Sequence, residues 1–322
     1  MPDDPGLAGD TCIFLEAIAG DAGIQNPNDV WWLSPDITLT GHSSGLENAD
    51  PGGNRIDIRV NRRPAGCTFP GDESVTIEVW VGNPSLLMSP AVRGSTVRIA
   101  FIGSPLPPEG GTHVQHLDWT IPAVTALPLG LENPQKPGPK CLVAICYPDS
   151  LTPSSARFFV PGDQHVAQHN LSIVQTAGAE VRFKVNTFNP AGAAPLPQTV
   201  RLRAVMDLAP AKFVKKMVLT RLEPLPAFQR LRTDPLPQGF GFDLTGLQAT
   251  DLVDHSHPAV TNFPVTPVPS FEANIPMGAN LTQLTFVAGL KGLQAGEAAV
   301  FHLTQTSKTV AQGGLTLVIL KT

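Results

Sequence analysis

The chain has 322 residues, 42% of them apolar and only 15% charged, with a formal net charge of −5. That balance excludes wholesale disorder and leaves no cationic footprint for nucleic acid. No apolar run reaches the length of a membrane-spanning helix. With 29 glycines and 33 prolines, short strands joined by turns are expected rather than long charged surface helices. The length suits two domains, each able to bury a core. Four cysteines, Cys12, Cys67, Cys141 and Cys146, are too few for a disulfide scaffold.

The first thirty residues open with MPDDPGLAGD, polar and rich in breakers, where a secretory signal would carry Lys or Arg. DTCIFLEAIAG follows, with Ile13, Leu15 and Ala17 alternating against Cys12, Phe14 and Glu16. A short strand is predicted here, pairing with a sandwich edge of its own chain or a neighbour's, so that residues 1–30 act as an assembly arm. Trp31 and Trp32 come next. In a strand they point to opposite faces, one into the core and one outward, to meet a subunit or stack on a sugar ring.

From residue 36 onward the dominant period is two. Ile56, Ile58 and Val60 alternate with Arg55, Asp57 and Arg59 in NRIDIRVNR, the pattern of a strand with one wet face. SVTIEVWVGNP repeats it through Val75, Ile77, Val79 and Val81. STVRIAFIG is expected to set Val97, Ile99 and Phe101 on one face, and HLDWTI to set Leu117, Trp119 and Ile121 on one face. KCLVAICYP is apolar on both sides, as a central strand is; NLSIV closes the first series. A second series runs through AEVRFKVN, TVRLRAV, NLTQLTFVAGL, AAVFHLTQ and GLTLVIL. The sole predicted helix covers residues 209–219, APAKFVKKMVL. Long Pro-rich passages are read as loops or crossovers. Val60-Asn61 and Pro64-Ala65-Gly66 recur as Val185-Asn186 and Pro190-Ala191-Gly192, a short internal echo that tandem sandwiches would produce.

SPDITL, IDIRVNRRPAG, VTIEVWVGNPS, CLVAICYPDS and DQHVAQHNLSI together resemble the CARDB-type, immunoglobulin-like β-sandwiches of large bacterial surface and secreted proteins. The likeness covers about residues 30–176; residues 177–322 resemble a second such sandwich. It implies adhesion, spacing or assembly and supplies no catalytic residue. The expected fold is therefore all-β: two tandem immunoglobulin-like β-sandwiches with long Pro/Gly-rich loops and at most one short helix. The expected division is an arm or edge strand over 1–30, one sandwich over 31–176 and a second over 177–322.

Four constellations bear on chemistry. Gly41-His42-Ser43-Ser44-Gly45 fits the G-x-S-x-G elbow of serine hydrolases, which needs a strand before the serine and a helix after it. Pro51-Gly52-Gly53 closes off any such helix, so a loop is the better reading. Cys141, Cys146, His165 and His169 have zinc-like spacing, yet the cysteines sit an odd number apart in a strand and point to opposite faces. Asp251, Asp254, His255 and His257 are dense in ligand atoms but lie in a loop, making a weak metal candidate. His113, His116 and Asp118 share a strand, with His116 and Asp118 on the polar face. The sequence thus points to a noncatalytic structural or adhesive protein with no cofactor, acting in a bacterial or phage-like assembly. It is expected outside the cytoplasm or in a particle, with protein subunits as partners through Trp31 and Trp32. Glycan binding by those tryptophans is the alternative; the hydrolase ranks last.

Overall fold

Alternating β-branched and polar residues dictate a ladder of strands, and the computed structural model forms it. It describes residues 4–24, 30–43, 47–122, 133–154, 158, 160–190, 198–243, 270–307 and 310–322. The chain divides into two units: residues 1–83 with 88–170, and residues 84–87 with 171–322.

In unit 1, β4 (Asn54–Arg62) is the centre of one sheet. Ile56, Ile58 and Val60 are buried, while Arg55, Asp57 and Arg59 take the other side. One edge of β4 carries β7 (Thr112–Trp119); the other carries β2 (Ile37–Gly41) and then β1 (Ile13–Phe14), all antiparallel. The facing sheet runs β10 (Val166–His169), β9 (Cys141–Pro148), β5 (Ser74–Gly82), β6 (Val97–Pro105), again antiparallel. A small ladder joins β3 (Asn48–Ala49) to β8 (Gly138–Pro139). Between the two sheets Ile37, Leu39, Ile56 and Ile58 meet Val75, Ile77, Val79, Leu142 and Ala144 in one aliphatic core. Each such side chain stabilises by about 1.5–3 kcal/mol when fully buried.

One expectation is met and two are corrected here. The short strand expected near the N-terminus forms as β1 and pairs with β4 of its own sandwich; Ile13 and Leu15 are fully buried, and a Cys12–Cys67 disulfide ties the segment down. Its apolar side chains leave it no solvated alternative. Phe101 does not share a face with Val97 and Ile99. The register slips between Val79 and Trp80, where Val79 faces Ala100 and Trp80 faces Arg98. Ile99 is therefore the extra residue of a β-bulge, which reverses the alternation beyond it and turns Phe101 outward. Trp31 and Trp32 occupy a turn, not a strand, so the alternation rule does not apply. Both rings are buried, 1% and 4% exposed, packed edge to face at 5.7 Å.

Unit 2 has a larger sheet in the order β11 (Leu171–Thr176), β19 (Val310–Lys321), β18 (Glu297–Ser307), β13 (Gln198–Met206), β16 (Ser270–Met277). β14 (Arg230–Leu231) adds in parallel to the start of β18. The smaller sheet is β12 (Glu180–Thr187), β17 (Thr282–Gly289), β15 (Phe240–Asp243). Rings from both sheets interlock: Phe240 of β15 lies 5.0 Å from Phe301 of β18, and Phe242 lies 6.1 Å from Phe271 of β16. Because β11 pairs in parallel with β19, it belongs to this unit, and the division falls after Asn170 rather than after residue 176. Residues 84–87 also belong here; Ser85 bridges Asn186 in parallel. Helix α1 spans Lys212–Leu222, three residues later than its sequence pattern suggests. Pro210 disfavours the helical region for Ala209, so the first turn waits until the proline is past. Among the described residues the fold is all-β apart from this α-helix and two single-turn 3-10 helices, Pro5–Leu7 and Val160–Gly162, built as two β-sandwich units.

Candidate functional site

The outer face of unit 1's second sheet gathers side chains that the strand pattern places together. β5 turns Thr76, Glu78 and Trp80 outward, opposite its core-facing valines and Ile77. Across the ladder Glu78 pairs with Phe101 of β6 and Ile145 of β9, and Trp80 with Arg98 and Val143. The Arg98 guanidinium lies over two rings, 5.6 Å from the centre of Trp80 and 5.2 Å from that of Phe101. The Phe158 ring packs edge to face against Trp80 at 5.5 Å.

One carboxylate holds this array. Glu78 Oε2 accepts from Trp80 Nε1 and from Arg98 Nη1, each at 3.2 Å, and its Oε1 accepts from the Tyr147 hydroxyl at 2.8 Å. Burial, then the bond to Glu78, pushes the Tyr147 hydroxyl well above the usual phenol range, so it stays a donor. Glu78 is thereby committed to orienting its neighbours, and the groups left facing outward are ring faces and a guanidinium. Phe101 is 59% exposed and the Arg98 side chain 47%. Among the described residues the exposed large hydrophobic side chains are Ile24, Phe101 and Val114, and the last two stand on the edge strands β6 and β7. Aromatic rings and arginine, pre-ordered and half-desolvated at a sheet edge, are the chemistry of a recognition surface.

The residues singled out in the sequence lie elsewhere. Ser43 follows β2 on the way to β3, its N–H donating to Asp50 Oδ2 at 2.8 Å; among the described residues that follow it the next element is strand β3 and not a helix, and Ser44 and Gly45 lie outside the described residues. The zinc-like set is not brought together. Cys141 Sγ bonds Asn170 Oδ1, while Cys146 lies in the core. Burial, with the nearby charges of Asp10, Asp36 and Asp163, holds the Cys146 thiol well above its ordinary pKa, so it is a poor thiolate ligand. His165 is clasped between Asp163 at 2.9 Å and Asp10 at 3.2 Å, and His169 between the Ser34 carbonyl and Glu47, each at 2.8 Å. No group of three or more His, Cys, Asp or Glu is poised to hold a metal among the described residues. Asp251, Asp254, His255 and His257 lie outside them.

His116 reaches Asp57 at 2.7 Å and Arg55 at 2.8 Å on the exposed face of β4 and β7, with His113 turned the other way. In unit 2, His302 bridges Asp207 at 2.9 Å and Thr316 Oγ1 at 3.0 Å. That is the arrangement of a nucleophile, a base and an orienting acid. Thr316, however, is fully buried, beyond the reach of any substrate carbonyl. The Trp80–Arg98–Phe101 array had one signal in the sequence: Trp80 falls in the wet phase of SVTIEVWVG, beside Glu78. Phe101 had none, because only the bulge turns it out.

No family model matches the chain, and no curated protein is similar to it. Among solved structures, a mutant of the adhesin CfaE of enterotoxigenic E. coli, from CFA/I, aligns over 97% of this chain and 94% of its own. The identity is 9% and the TM-score 0.20, a likeness too slight to carry an argument. No helix among the described residues is long and apolar enough to cross a membrane.

Proposed function

We propose that this is a noncatalytic structural or adhesive protein, a subunit of a larger bacterial or phage-like assembly that docks protein neighbours on the β6 edge of unit 1. The observation that carries this reading is the Trp80–Arg98–Phe101 array, held by Glu78 of β5 and extending onto β6, whose second edge pairs with no other described strand. A free edge offers a ladder for strand addition, and the adjoining rings offer the anchors that dominate interface energies. The Cys12–Cys67 disulfide fits an oxidising compartment, outside the cytoplasm or in an assembled particle. Both tryptophans of the sugar-stacking reading are buried, which removes its platform.

Light scattering at micromolar concentration tests the proposal. The unmodified chain should form species larger than a monomer, and Phe101→Asp or Arg98→Gln, the latter keeping a donor for Glu78, should shift it toward monomer with the thermal midpoint unchanged. A strictly monomeric chain, or association indifferent to both substitutions, would end this reading.

A further inference from the structure

A second surface, on unit 2, stands independently of the β6 edge. Residues 208–233 hold six of the chain's 22 lysines and arginines against one carboxylate, Glu223, although the chain as a whole is acidic at −5. Helix α1 turns Val214, Val218 and Leu222 inward, and this leaves Lys212, Lys215 and Lys216 exposed. Among the described residues no carboxylate pairs with these three lysines. Beside them, between α1 and residues 228–233, runs a groove of about 780 Å³. Its apolar lining comes from Leu208, Pro210, Leu219, Phe228 and Leu231; Lys215, Arg230 and Arg232 supply positive charge and Glu223 one negative, while Lys212 and Lys216 line a smaller hollow that adjoins it along α1.

The two arginines share a single acid. Arg230 donates to Glu297 Oε1 at 3.0 and 2.6 Å and Arg232 to Oε2 at 3.0 Å. Arg232 is fully engaged: it also donates to the carbonyls of Gly292, Asp234 and Pro235, and 13% of its side chain is exposed. Arg230 keeps 70% of its side chain in solvent. The groove therefore has an apolar lining, Lys215 with Glu223 on the α1 side and the exposed Arg230 guanidinium on the other, and Lys212 and Lys216 extend the positive charge along the helix beside it.

We infer that this groove binds an extended acidic segment of a partner protein, its carboxylates on the lysines and Arg230 and its apolar side chains on Leu219, Phe228 and Leu231. A helix of 11 residues is about 16 Å long at ~1.5 Å per residue. That length matches about five residues of extended chain at roughly 3.3 Å each. A sulfated or carboxylated polysaccharide would answer the charge and leave the apolar lining uncovered, which is why a peptide is the better occupant. Exposed charges of this kind set encounter rate and orientation and weaken with salt, while the apolar lining supplies burial.

Fluorescence anisotropy on the full chain tests this with three labelled probes: a short peptide alternating Glu and Leu, an all-Glu peptide of equal length, and a heparin fragment. The Glu/Leu peptide should bind saturably, more tightly than the other two, and lose affinity as salt is raised. Lys212→Gln/Lys215→Gln/Lys216→Gln should weaken it at least about tenfold, or about 1.4 kcal/mol, with the thermal midpoint held; Lys215→Gln alone is the milder check. Leu219→Gln should erase the preference over all-Glu. Phe101→Asp should leave every value unchanged, which separates this site from the β6 surface. Absence of saturable binding, indifference to the lysine changes, or equal or tighter binding of all-Glu or heparin would each overturn the inference.

Discussion

The two units reach the same class of fold with different interiors. Unit 1 has an aliphatic core and an unusual load of buried ionisable groups: Asp10, Asp36, Glu47, Glu78, Asp163, His165 and His169 are all at most 8% exposed. Unit 2 buries few charges and instead buries Phe188, Phe240, Phe242, Phe286 and Phe301, each 1% exposed or less. The buried charges of unit 1 hold irregular chain onto a regular sandwich. Asp10 accepts the N–H groups of Cys12 and Ile13 and reaches His165. Asp36 accepts from the Glu16 N–H, Asn61 Nδ2 and Arg59 Nε, each at 2.6 Å. Burial raises Asp36 to about 6 against the pull of Arg59, a cost that only the ordering of its neighbours offsets. Long segments need specific polar anchors because their backbone groups find no ladder. Unit 2 has fewer such anchors, Glu297 with Arg230 and Arg232 among them. Unit 1 should accordingly respond to pH, reductant and truncation, and unit 2 to loss of rings.

The largest effect expected from this contrast comes from deleting residues 1–30. With Ile13, Leu15 and the disulfide gone, unit 1 should lose its cooperative transition while unit 2 keeps its own. Calorimetry showing both transitions intact would restore the idea of a detachable arm. Next, Phe286→Ala empties the point where Phe240, Phe242 and Phe301 meet, at 6.2, 6.0 and 5.3 Å. A cost of about 3–5 kcal/mol is expected for such a truncation, confined to the unit 2 transition in urea; a loss below about 1 kcal/mol would mean that the rings are not its framework.

Cys12→Ser/Cys67→Ser opens a loop with a sequence separation of 55 and should cost unit 1 about 2–4 kcal/mol. Reductant on the unmodified chain should reproduce this, and movement of the unit 2 transition instead would place the disulfide's effect in the wrong unit. A smaller effect comes from pH. Burial alone would lower the His165 pKa, but its bonds to Asp10 and Asp163 outweigh that and raise it from 6.5 to about 9. A folded pKa above the unfolded one means that the imidazolium form favours folding. Its contribution is full below pH 6.5 and fades as pH rises through 9, amounting to something on the order of 3 kcal/mol. The unit 1 midpoint should fall over that window, and His165→Gln should flatten the profile. An unchanged slope in that variant would remove His165 as the cause.

Strand periodicity made most of the ladder legible. NRIDIRVNR, SVTIEVWVG and AEVRFKVN each read their own buried face, since a side chain in regular strand geometry has only two directions to point. The sites were less legible. The strand rule misplaces Trp31 and Trp32, which are buried in a turn, and the spacing of Cys141, Cys146, His165 and His169 gives no hint that each has a different neighbour. Spacing along a chain fixes direction within an element but not which loop returns to meet it.

By itself, then, the sequence determined the all-β class, the inward face of nearly every long strand, and the presence of one helix, because these depend on local period and on proline and glycine. Tertiary structure alone decided that Ile99 bulges and sends Phe101 outward, and that Glu78 gathers Trp80, Arg98 and Tyr147. It alone decided that β11 lies parallel to β19, Leu171 against Thr316. The two strands come from opposite ends of unit 2, and no local period records which edge a distant strand will find open.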